Sequence, residues 1–329
     1  MFAIGTFSAG GRAPFPAVVV QRDVFPVSAF GDEVAAFDSV LALLKSWDTA
    51  FPLIAKRVGS VVPDKRIPLD RLEVHAPLLP RQIFCTGANY RQHVLDLMAA
   101  QASPETAAMT AEERRAYAAR MMDGRIATGR PYAFSKAVSA VTGPNDRVII
   151  PRDVTEPDWE LELGVIIGRP ARHVGRTDAL SCVAGYTVAN DITARERIYR
   201  PDIKAIGTDW LAGKCAPTFL PIGPFIVPAA FVPDPMNLRI TLRLNGEVMQ
   251  DASTVDMMFD IARQIEHISS CVQLLPGDLI CTGSPAGNGT HYGRFLRPGD
   301  ILNGTIETIG TIRNACEAEP SAAATRRVP

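Results

Sequence analysis

The stretch EPDWELELGVIIGR places three acidic residues within a sequence that otherwise predicts a buried β-strand. Side chains alternate between the two faces of a strand, so Asp158, Glu160 and Glu162 share one face. The residues after Leu163 are apolar on both faces, which is typical of a central strand. An exposed edge strand is the alternative interpretation. In a central strand the carboxylates must either be protonated or bind a cation.

A divalent metal ion is the simplest cation for two neighbouring glutamates to share. Oxygen-only ligands favour Mg²⁺, Mn²⁺ or Ca²⁺ over zinc. We expect Glu160 and Glu162 to be ligands, and Asp191, in GYTVANDITARE, to complete the set from the end of a predicted strand. A helix N-cap is the other role that suits an aspartate at this position. Asp158 lies about 7 Å further along the strand, and we expect it at the solvent end, outside the ligand set.

A histidine and an acid three residues apart follow the segment CTGANY. His93 and Asp96 share one face if this segment is helical. A carboxylate that contacts an imidazole fixes its tautomer and raises its basicity, which suits a general base. The alternative is an unrelated pair of surface residues, which is the commoner meaning of an isolated HxxD pattern.

Two further segments carry groups that suit an anionic ligand. Lys136 lies among small and apolar residues, where its ammonium group can stabilise a developing anion. An ordinary solvated lysine is the alternative. The loop CTGSPAGNG has hydroxyl groups at Thr282 and Ser284, and its glycines allow backbone amides to approach a small anion. It lacks the Lys-Ser/Thr ending of a P-loop, so it does not predict a nucleotide site.

The composition argues against several classes of partner. The formal net charge is −1 and the basic residues are scattered, which argues against binding to nucleic acid or to anionic membranes. No apolar run approaches the ~20 residues that a transmembrane helix needs. Six cysteines without a CxxC pair favour reduced thiols in the cytoplasm. We therefore expect a cytoplasmic protein that acts on a small molecule.

The order of the predicted elements indicates an α+β fold that is mainly β. Residues 1–80 predict a small amino-terminal α/β extension module, residues 81–316 a β-rich main domain, and residues 317–329 a disordered tail. Strands in the main domain do not alternate regularly with long helices, as a Rossmann domain or a (β/α)8 barrel requires. A mixed or antiparallel β-core with a few flanking helices fits better.

Local signals predict a hairpin and several helices. Asn245-Gly246 lies between two alternating runs and predicts a tight turn. Apolar residues at helical spacing predict helices over 32–47 and 255–271. A third helix, over 110–123, begins at a capping box, and we expect it to stop at Gly124.

Six segments follow one another in a specific order: GANYRQH, FSKAVSAVTGPNDRVIIP, PDWELELGVIIG, AGYTVANDITARE, GKCAPTFLPIGP and GDLICTGSPAGNG. In this order they resemble the fumarylacetoacetate hydrolase family over residues 81–313. The resemblance implies a mixed β-roll core, usually assembled as a homodimer, and a Mg²⁺ or Mn²⁺ ion held by an E-x-E pair and a later aspartate. It implies the following site residues: Glu160, Glu162 and Asp191 for the metal, His93, Asp96 and Lys136 for catalysis, and Lys214, Thr282, Gly283 and Ser284 around the metal and the substrate.

The sequence departs from the family pattern around the predicted substrate rather than around the predicted metal. Asp96 replaces a glutamate that smaller members often carry, and Pro217 replaces a common aspartate. Ile198 stands where some members have a polar substrate contact. The segment 99–130, which we expect to act as a lid, is long for the family. These differences leave the identity of the substrate open.

The resemblance implies a hydrolase that cleaves the C–C bond of a 2,4-dioxo acid to pyruvate and a carboxylic acid. Acylpyruvates, fumarylpyruvate and 2,4-diketo-3-deoxy sugar acids are substrates of this type. We expect His93, held by Asp96, to deprotonate the attacking water, and Lys136 to stabilise the oxyanion. Decarboxylation of oxaloacetate, isomerisation of an oxo-diacid and hydration of a 2-oxopent-4-enoate use the same metal-enolate chemistry and are the alternatives. A non-catalytic, ligand-binding member of the family is the remote alternative.

Overall fold

The structure, a computed structural model, describes residues 1–60, 65–100, 105–203 and 207–321. Within these residues the chain is mainly β with short helices, as the sequence predicts. The strands are β1 (Ala3–Ser8), β2 (Phe15–Val20), β3 (Asp23–Pro26), β4 (Ile67–Pro68), β5 (Glu73–Val74), β6 (Ile83–Gly87), β7 (Tyr132–Ser135), β8 (Val141–Thr142), β9 (Val148–Ile150), β10 (Pro157–Asp158), β11 (Leu161–Ile167), β12 (Val183–Asn190), β13 (Thr193–Ala194), β14 (Leu220–Pro228), β15 (Arg239–Leu244), β16 (Glu247–Ser253), β17 (Leu279–Cys281), β18 (Ile301–Ile306) and β19 (Gly310–Ala318). The helices are α1 (Asp32–Ala35), α2 (Val40–Lys45), α3 (Trp47–Arg57), α4 (Arg91–Ala100), α5 (Ala111–Thr128), α6 (Arg176–Ala179), α7 (Trp210–Lys214), α8 (Ile261–Cys271) and α9 (Gly289–Tyr292).

The largest sheet of the described chain holds β11, the strand that carries Glu162, at an interior position. Its strand order is β4-β3-β2-β1-β14-β12-β11-β17-β6-β7, with β5 on β1 and β8 on β14. β11 runs antiparallel to β12 and to β17, with Leu161 opposite Asn190 and Gly164 opposite Cys281. Every residue of β11 is buried. The prediction of a central strand rather than an edge strand is therefore confirmed.

A second sheet, in the order β16-β15-β18-β19-β9, packs against β11, β12 and β14 of the first. Gly304 in β18 leaves space for this contact, because a Cβ atom there would overlap Cδ1 of Leu161. Leu161 therefore faces the second sheet. Alternation along the strand sends Glu162 to the opposite face, away from that apolar interface.

The amino-terminal extension shares both its sheet and its core with the rest of the chain. β1 pairs antiparallel with β14, with Ile4 opposite Ile226. Phe2, Ile4 and Leu43 lie in the same buried cluster as Leu163 of β11. The extension thus adds strands to the main sheet and joins the main core, and its strands β1 to β3 also enclose a second, smaller buried cluster.

Two predicted helices differ from the observed ones because an N-cap residue starts a helix inside the predicted range. The helix predicted over 32–47 is interrupted, because Oγ of Ser39 accepts a hydrogen bond from the backbone N–H of Ala42 and starts α2. The helix predicted over 255–271 begins only at α8, where the side chain of Asp260 accepts a hydrogen bond from the backbone of Arg263 at 2.8 Å. The hairpin is confirmed: Asn245-Gly246 joins β15 to β16, and both residues have positive φ.

The predicted lid, 99–130, is mostly the helix α5, and residues 101–104 lie outside the described part of the chain. The capping box is confirmed, with Thr110 and Glu113 exchanging hydrogen bonds. The predicted stop at Gly124 is wrong, since α5 continues to its last residue, Thr128. A glycine inside a helix costs only about 1 kcal/mol relative to alanine, which the rest of an 18-residue helix outweighs.

Residues 317–321, which belong to the predicted disordered tail, lie in the described part of the chain. β19 runs to Ala318, and the backbone N–H of Glu319 donates to the carbonyl of Ile150 at 3.0 Å. Residues 322–329 lie outside the described part of the chain. No helix within the described residues is both long enough and apolar enough to cross a bilayer.

Candidate active site

Three buried carboxylates converge where β11 begins and β12 ends. One oxygen from each of Glu160, Glu162 and Asp191 lies within 4.8 Å of the others. Glu162 lies in β11, Glu160 directly precedes it, and Asp191 directly follows β12. The backbone N–H of Asp191 donates to the carbonyl of Glu160 at 2.8 Å, and Asn190 Oδ1 accepts from the N–H of Glu160 at 2.9 Å. The structure thus brings together the three residues that the sequence predicts as metal ligands.

Two buried lysines contact these carboxylates. Nζ of Lys214 lies 2.6 Å from Oε2 of Glu160 and 2.5 Å from Oδ2 of Asp191. Nζ of Lys136 lies 2.5 Å from Oδ1 of Asp191 and donates to the carbonyl of Ile192 at 3.0 Å. Both lysines named from the sequence therefore reach the carboxylate cluster, and each places a positive charge beside Asp191.

Glu162 is the member of the cluster that lacks a cationic partner. Its Oε2 accepts a hydrogen bond from the backbone N–H of Gly283 at 2.7 Å, and no ion pair reaches it from the described residues. Burial and the nearby charge of Asp191 raise the pKa of Glu162 well above its ordinary value. Three convergent carboxylates, one of them costly to ionise, fit a hard divalent cation such as Mg²⁺ or Mn²⁺, which would offset that cost.

Arg195 supplies a further cation that the sequence analysis did not identify. Its Nη2 lies 2.5 Å from Oε1 of Glu160 and its Nε lies 2.8 Å from Oδ2 of Asp158. Burial opposes ionisation of Glu160, but Arg195 and Lys214 together outweigh it and lower the pKa of this carboxyl group. The sequence signal was its position, four residues after Asp191 in the segment AGYTVANDITARE, but no local pattern there pairs it with Glu160 or Asp158.

Asp158 is buried, so the prediction that it lies at the solvent end of the strand is wrong. It belongs to β10, which pairs with β13 and is separate from β11. Besides Arg195, its carboxylate accepts hydrogen bonds from the backbone N–H of Gly289 and, at 3.1 Å, from the hydroxyl group of Thr290. These donors replace water around the carboxylate. Asp158 lies outside the three-carboxylate cluster, as expected.

His93 and Asp96 both lie on α4, but they do not form the predicted contact. The carboxylate of Asp96 accepts from Nε2 of Gln92 at 2.7 Å and from Nη1 of Arg115 at 2.8 Å. Among the described residues no hydrogen bond joins Asp96 to His93. The physical reason is a stronger partner, since α5 brings the guanidinium group of Arg115 to the carboxylate. Burial lowers the pKa of His93, which keeps its imidazole neutral.

The glycine-rich loop contacts β11, the strand that carries Glu162. Oγ1 of Thr282 donates to the carbonyl of Leu163 at 2.9 Å, and the N–H of Gly283 is taken by Glu162. Only Ser284 of the three predicted substrate contacts in this loop lines the cavity beside the carboxylates. In this geometry Gly283 holds Glu162 and Thr282 holds the loop against β11, and neither residue lines the cavity.

The carboxylate cluster opens into a cavity of about 170 Å³. Polar groups at the cavity come from the three acids and from His93, Arg195, Lys214, Thr86 and Ser284, and aromatic groups come from Phe134, Tyr199 and Trp210. The described residues of the predicted lid do not line it. The arrangement can hold a divalent cation and a small anion next to a neutral imidazole.

A family model described as fumarylacetoacetate (FAA) hydrolase C-terminal matches residues 82–317, which is most of the chain. The chain belongs to the fumarylacetoacetate hydrolase family. This confirms the resemblance found in the order of the sequence motifs. Members of this family include hydrolases, isomerases and tautomerases, so membership defines the chemistry only coarsely.

Two curated members of the fumarylacetoacetate hydrolase family illustrate this range. The rat mitochondrial protein named oxaloacetate tautomerase Fahd2a is 33% identical over 279 residues, which are 84% of this chain and 79% of that protein. The 2,4-didehydro-3-deoxy-L-rhamnonate hydrolase of Sphingomonas sp. is 42% identical over 186 residues, which are 56% of this chain and 64% of that protein.

A solved structure of the family carries a metal ion. Maleylpyruvate hydrolase from Sphingobium sp. SYK-6, in complex with manganese(II) and pyruvate, is 25% identical, with a TM-score of 0.71, and the match covers 97% of this chain and 100% of that one. The predicted fumarylacetoacetate hydrolase-type fold is thereby confirmed.

Proposed function

We propose that this protein is a metal-dependent hydrolase that cleaves the C3–C4 bond of a 2,4-dioxo acid to give pyruvate and a carboxylic acid. The observation that carries the proposal is the convergence of Glu160, Glu162 and Asp191 at a cavity that His93 also lines. Breaking this bond leaves an enolate of pyruvate, so the site must stabilise negative charge and supply one activated water.

Glu160, Glu162 and Asp191 would hold a Mg²⁺ or Mn²⁺ ion, and Ca²⁺ also fits this oxygen-only ligand set. When bound, the ion supplies Lewis-acid stabilisation of the enolate. Manganese in the related maleylpyruvate hydrolase supports this choice of metal. Lys214 and Lys136 place positive charge beside two of the three carboxylates, Glu160 and Asp191.

His93 has the properties of a general base at this cavity. Its imidazole is neutral because burial lowers its pKa, so it can accept a proton from water. The hydroxide equivalent adds to C4, the C3–C4 bond breaks, and its electron pair stays on C3. The proton held by His93 then returns to C3, which completes pyruvate. The ammonium group of Lys214, which lines the cavity, opposes the negative charge that develops, and Lys136 adds positive charge through its contact with Asp191.

Tautomerisation of oxaloacetate is the second candidate function. The position of Asp96 favours it, because Arg115 and Gln92 occupy the carboxylate that would otherwise orient His93 towards a water. Moving a proton between C3 and an oxygen needs a base but no attacking water. The name of the rat relative supports this candidate. Decarboxylation, isomerisation of an oxo-diacid and hydration of a 2-oxopentenoate use the same enolate and stay further alternatives.

Three further points concern a non-catalytic role, the oligomeric state and the cellular compartment. A non-catalytic, ligand-binding role is disfavoured, because the three acids, His93 and both lysines meet at one site. The family resemblance supports a homodimer, which sedimentation of the purified protein tests. Six cysteines without a CxxC pair support the cytoplasm, although relatives include mitochondrial proteins.

A panel assay tests the proposal and separates the two candidates. Acetylpyruvate, fumarylpyruvate, a 2,4-dioxo-3-deoxy sugar acid and oxaloacetate would be supplied with Mg²⁺ or Mn²⁺ while pyruvate release and loss of the oxaloacetate enol are followed. We expect pyruvate from at least one dioxo acid, and none with Asp191→Asn. Asp251→Asn, which removes a carboxylate paired with Arg239 on an exposed part of β16, is the matched control. Enol–keto conversion without pyruvate release from any dioxo acid would favour the second candidate.

A further inference from the structure

Three aromatic side chains line the cavity beside the carboxylate cluster. The rings of Phe134 and Trp210 stack with their centroids 4.4 Å apart and their planes at 17°. Tyr199 lines the same cavity and leaves 73% of its surface exposed. Phe134 lies in β7 and Trp210 begins α7, so separate elements build this surface. We call these three residues the aromatic wall.

The cationic groups that line the cavity are already paired with carboxylates. Lys214 and Arg195 each contact two carboxylates at 2.5 to 2.8 Å. Among the described lining residues no other lysine or arginine is present. Among these described residues, a second carboxylate in the acyl group of a substrate would meet no free counter-charge, and burying an unpaired charge is costly.

The hydroxyl groups with little exposure at the cavity are also occupied. Oγ1 of Thr86 donates to Oε1 of Gln264 at 2.9 Å. Oγ of Ser284 accepts from Nε2 of Gln250 at 2.9 Å and donates to the carbonyl of Pro285 at 3.3 Å. Nε1 of Trp210 is an unpaired donor, but a polyhydroxylated acyl group would find few further free partners among the described residues, and unpaired polar groups in a closed site weaken binding.

We propose that the aromatic wall selects 2,4-dioxo acids whose acyl group is a planar, uncharged ring, that is, aroylpyruvates. This inference rests on the proposed hydrolase function and specifies its substrate class. Phe134 and Trp210 are the specificity-determining residues, because their stacked rings give a second ring both an apolar surface and favourable edge or face contacts. Aromatic contacts of this kind change affinity by up to about tenfold.

The activity test compares kcat/KM for benzoylpyruvate, acetylpyruvate, fumarylpyruvate and a 2,4-dioxo-3-deoxy sugar acid. The wild-type protein should prefer benzoylpyruvate. Trp210→Ala should lower kcat/KM about tenfold for benzoylpyruvate but by less than about twofold for acetylpyruvate, and Trp210→Phe should restore most of the loss. Leu211→Ala is the matched control, since Leu211 is the next residue of α7 and is 74% exposed.

A binding test does not depend on turnover. Benzoylpyruvate and acetylpyruvate would be titrated into the His93→Ala variant by isothermal calorimetry with Mn²⁺ present. We expect benzoylpyruvate to bind about tenfold more tightly, and the ratio to fall towards one when Trp210→Ala is added.

Three results would overturn the inference: a wild-type preference for the sugar acid or fumarylpyruvate, an equal loss on both test substrates in Trp210→Ala, or equal binding of the two ligands. Failure of the proposed function looks different. In that case no dioxo acid releases pyruvate, while the calorimetric ratio still decides whether the aromatic wall recognises a ring.

Discussion

Nε of Arg195 donates a hydrogen bond to Oδ2 of Asp158 at 2.8 Å, and no surface of Asp158 is exposed to solvent. The same guanidinium group lies 2.5 Å from Oε1 of Glu160. A carboxylate so deeply buried is tolerated only when charged and hydrogen-bonded partners replace water. Arg195 therefore links an acid outside the candidate metal site to an acid within it.

We expect Asp158→Ala to lower the free energy of unfolding by about 3 kcal/mol, because it leaves Arg195 with one partner and the amide of Gly289 with none. Urea unfolding measures this loss. Asp153→Ala is the matched control, since Asp153 pairs with Arg197 on the surface, where such a pair contributes less than about 1 kcal/mol. Equal losses in the two variants would contradict the account.

Metal binding should stabilise the folded protein. At a concentration about a hundredfold above the dissociation constant, Mg²⁺ or Mn²⁺ would add about 2.7 kcal/mol, seen as a rise in melting temperature that EDTA reverses. Glu162→Gln should abolish the rise, because it removes a ligand oxygen charge without removing volume. A rise in melting temperature of the same size in Glu162→Gln would mean that the metal binds at another site.

The pH dependence of stability should report on His93. Burial lowers its pKa below the ordinary value of 6.5, so the native state binds fewer protons than the unfolded chain as the pH falls below 6.5. The contribution of neutral His93 is present above that pH and is lost progressively towards its folded pKa. We expect the melting temperature to fall between about pH 7 and about pH 5 by less in His93→Gln than in the wild type. Parallel curves would argue against a half-buried imidazole that stays neutral.

Substitutions of His93 and of Asp96, the predicted catalytic pair, should differ in their effect on turnover. His93→Gln should lower kcat by about a hundredfold or more, as expected for loss of a general base. Asp96→Asn should lower it by less than about tenfold, because Asp96 is bonded to Arg115 and Gln92 instead of His93. Pyruvate release under saturating substrate measures both. Losses of equal size would mean that the pair forms when the substrate binds.

The convergence of the candidate metal ligands could be predicted because it depends on short-range regularities. Glu160 and Glu162 are two residues apart at the start of a strand, and that spacing puts them on one face wherever the strand goes. Asp191 follows the neighbouring antiparallel strand, where Asn190 pairs with Leu161. Local periodicity and strand pairing were sufficient for this part of the site.

The remaining parts depend on contacts between distant segments. Asp158 has the same spacing as the glutamates, yet its environment is set by Arg195, 37 residues later, and by the backbone at Gly289. Asp96 turns away from His93 because α5 carries Arg115 to it. The sequence contains these residues but no local pattern that pairs them, so only the packed structure defines their roles.

The most direct measurement is pyruvate release from a 2,4-dioxo acid by protein that has been freed of metal and then given Mn²⁺. The site geometry predicts no release before the metal is added, release after it, and no release at any metal concentration from Glu162→Gln or Asp191→Asn. Pyruvate release that persists in the chelated protein, or in either variant, would contradict the claim that these three carboxylates form the catalytic metal centre.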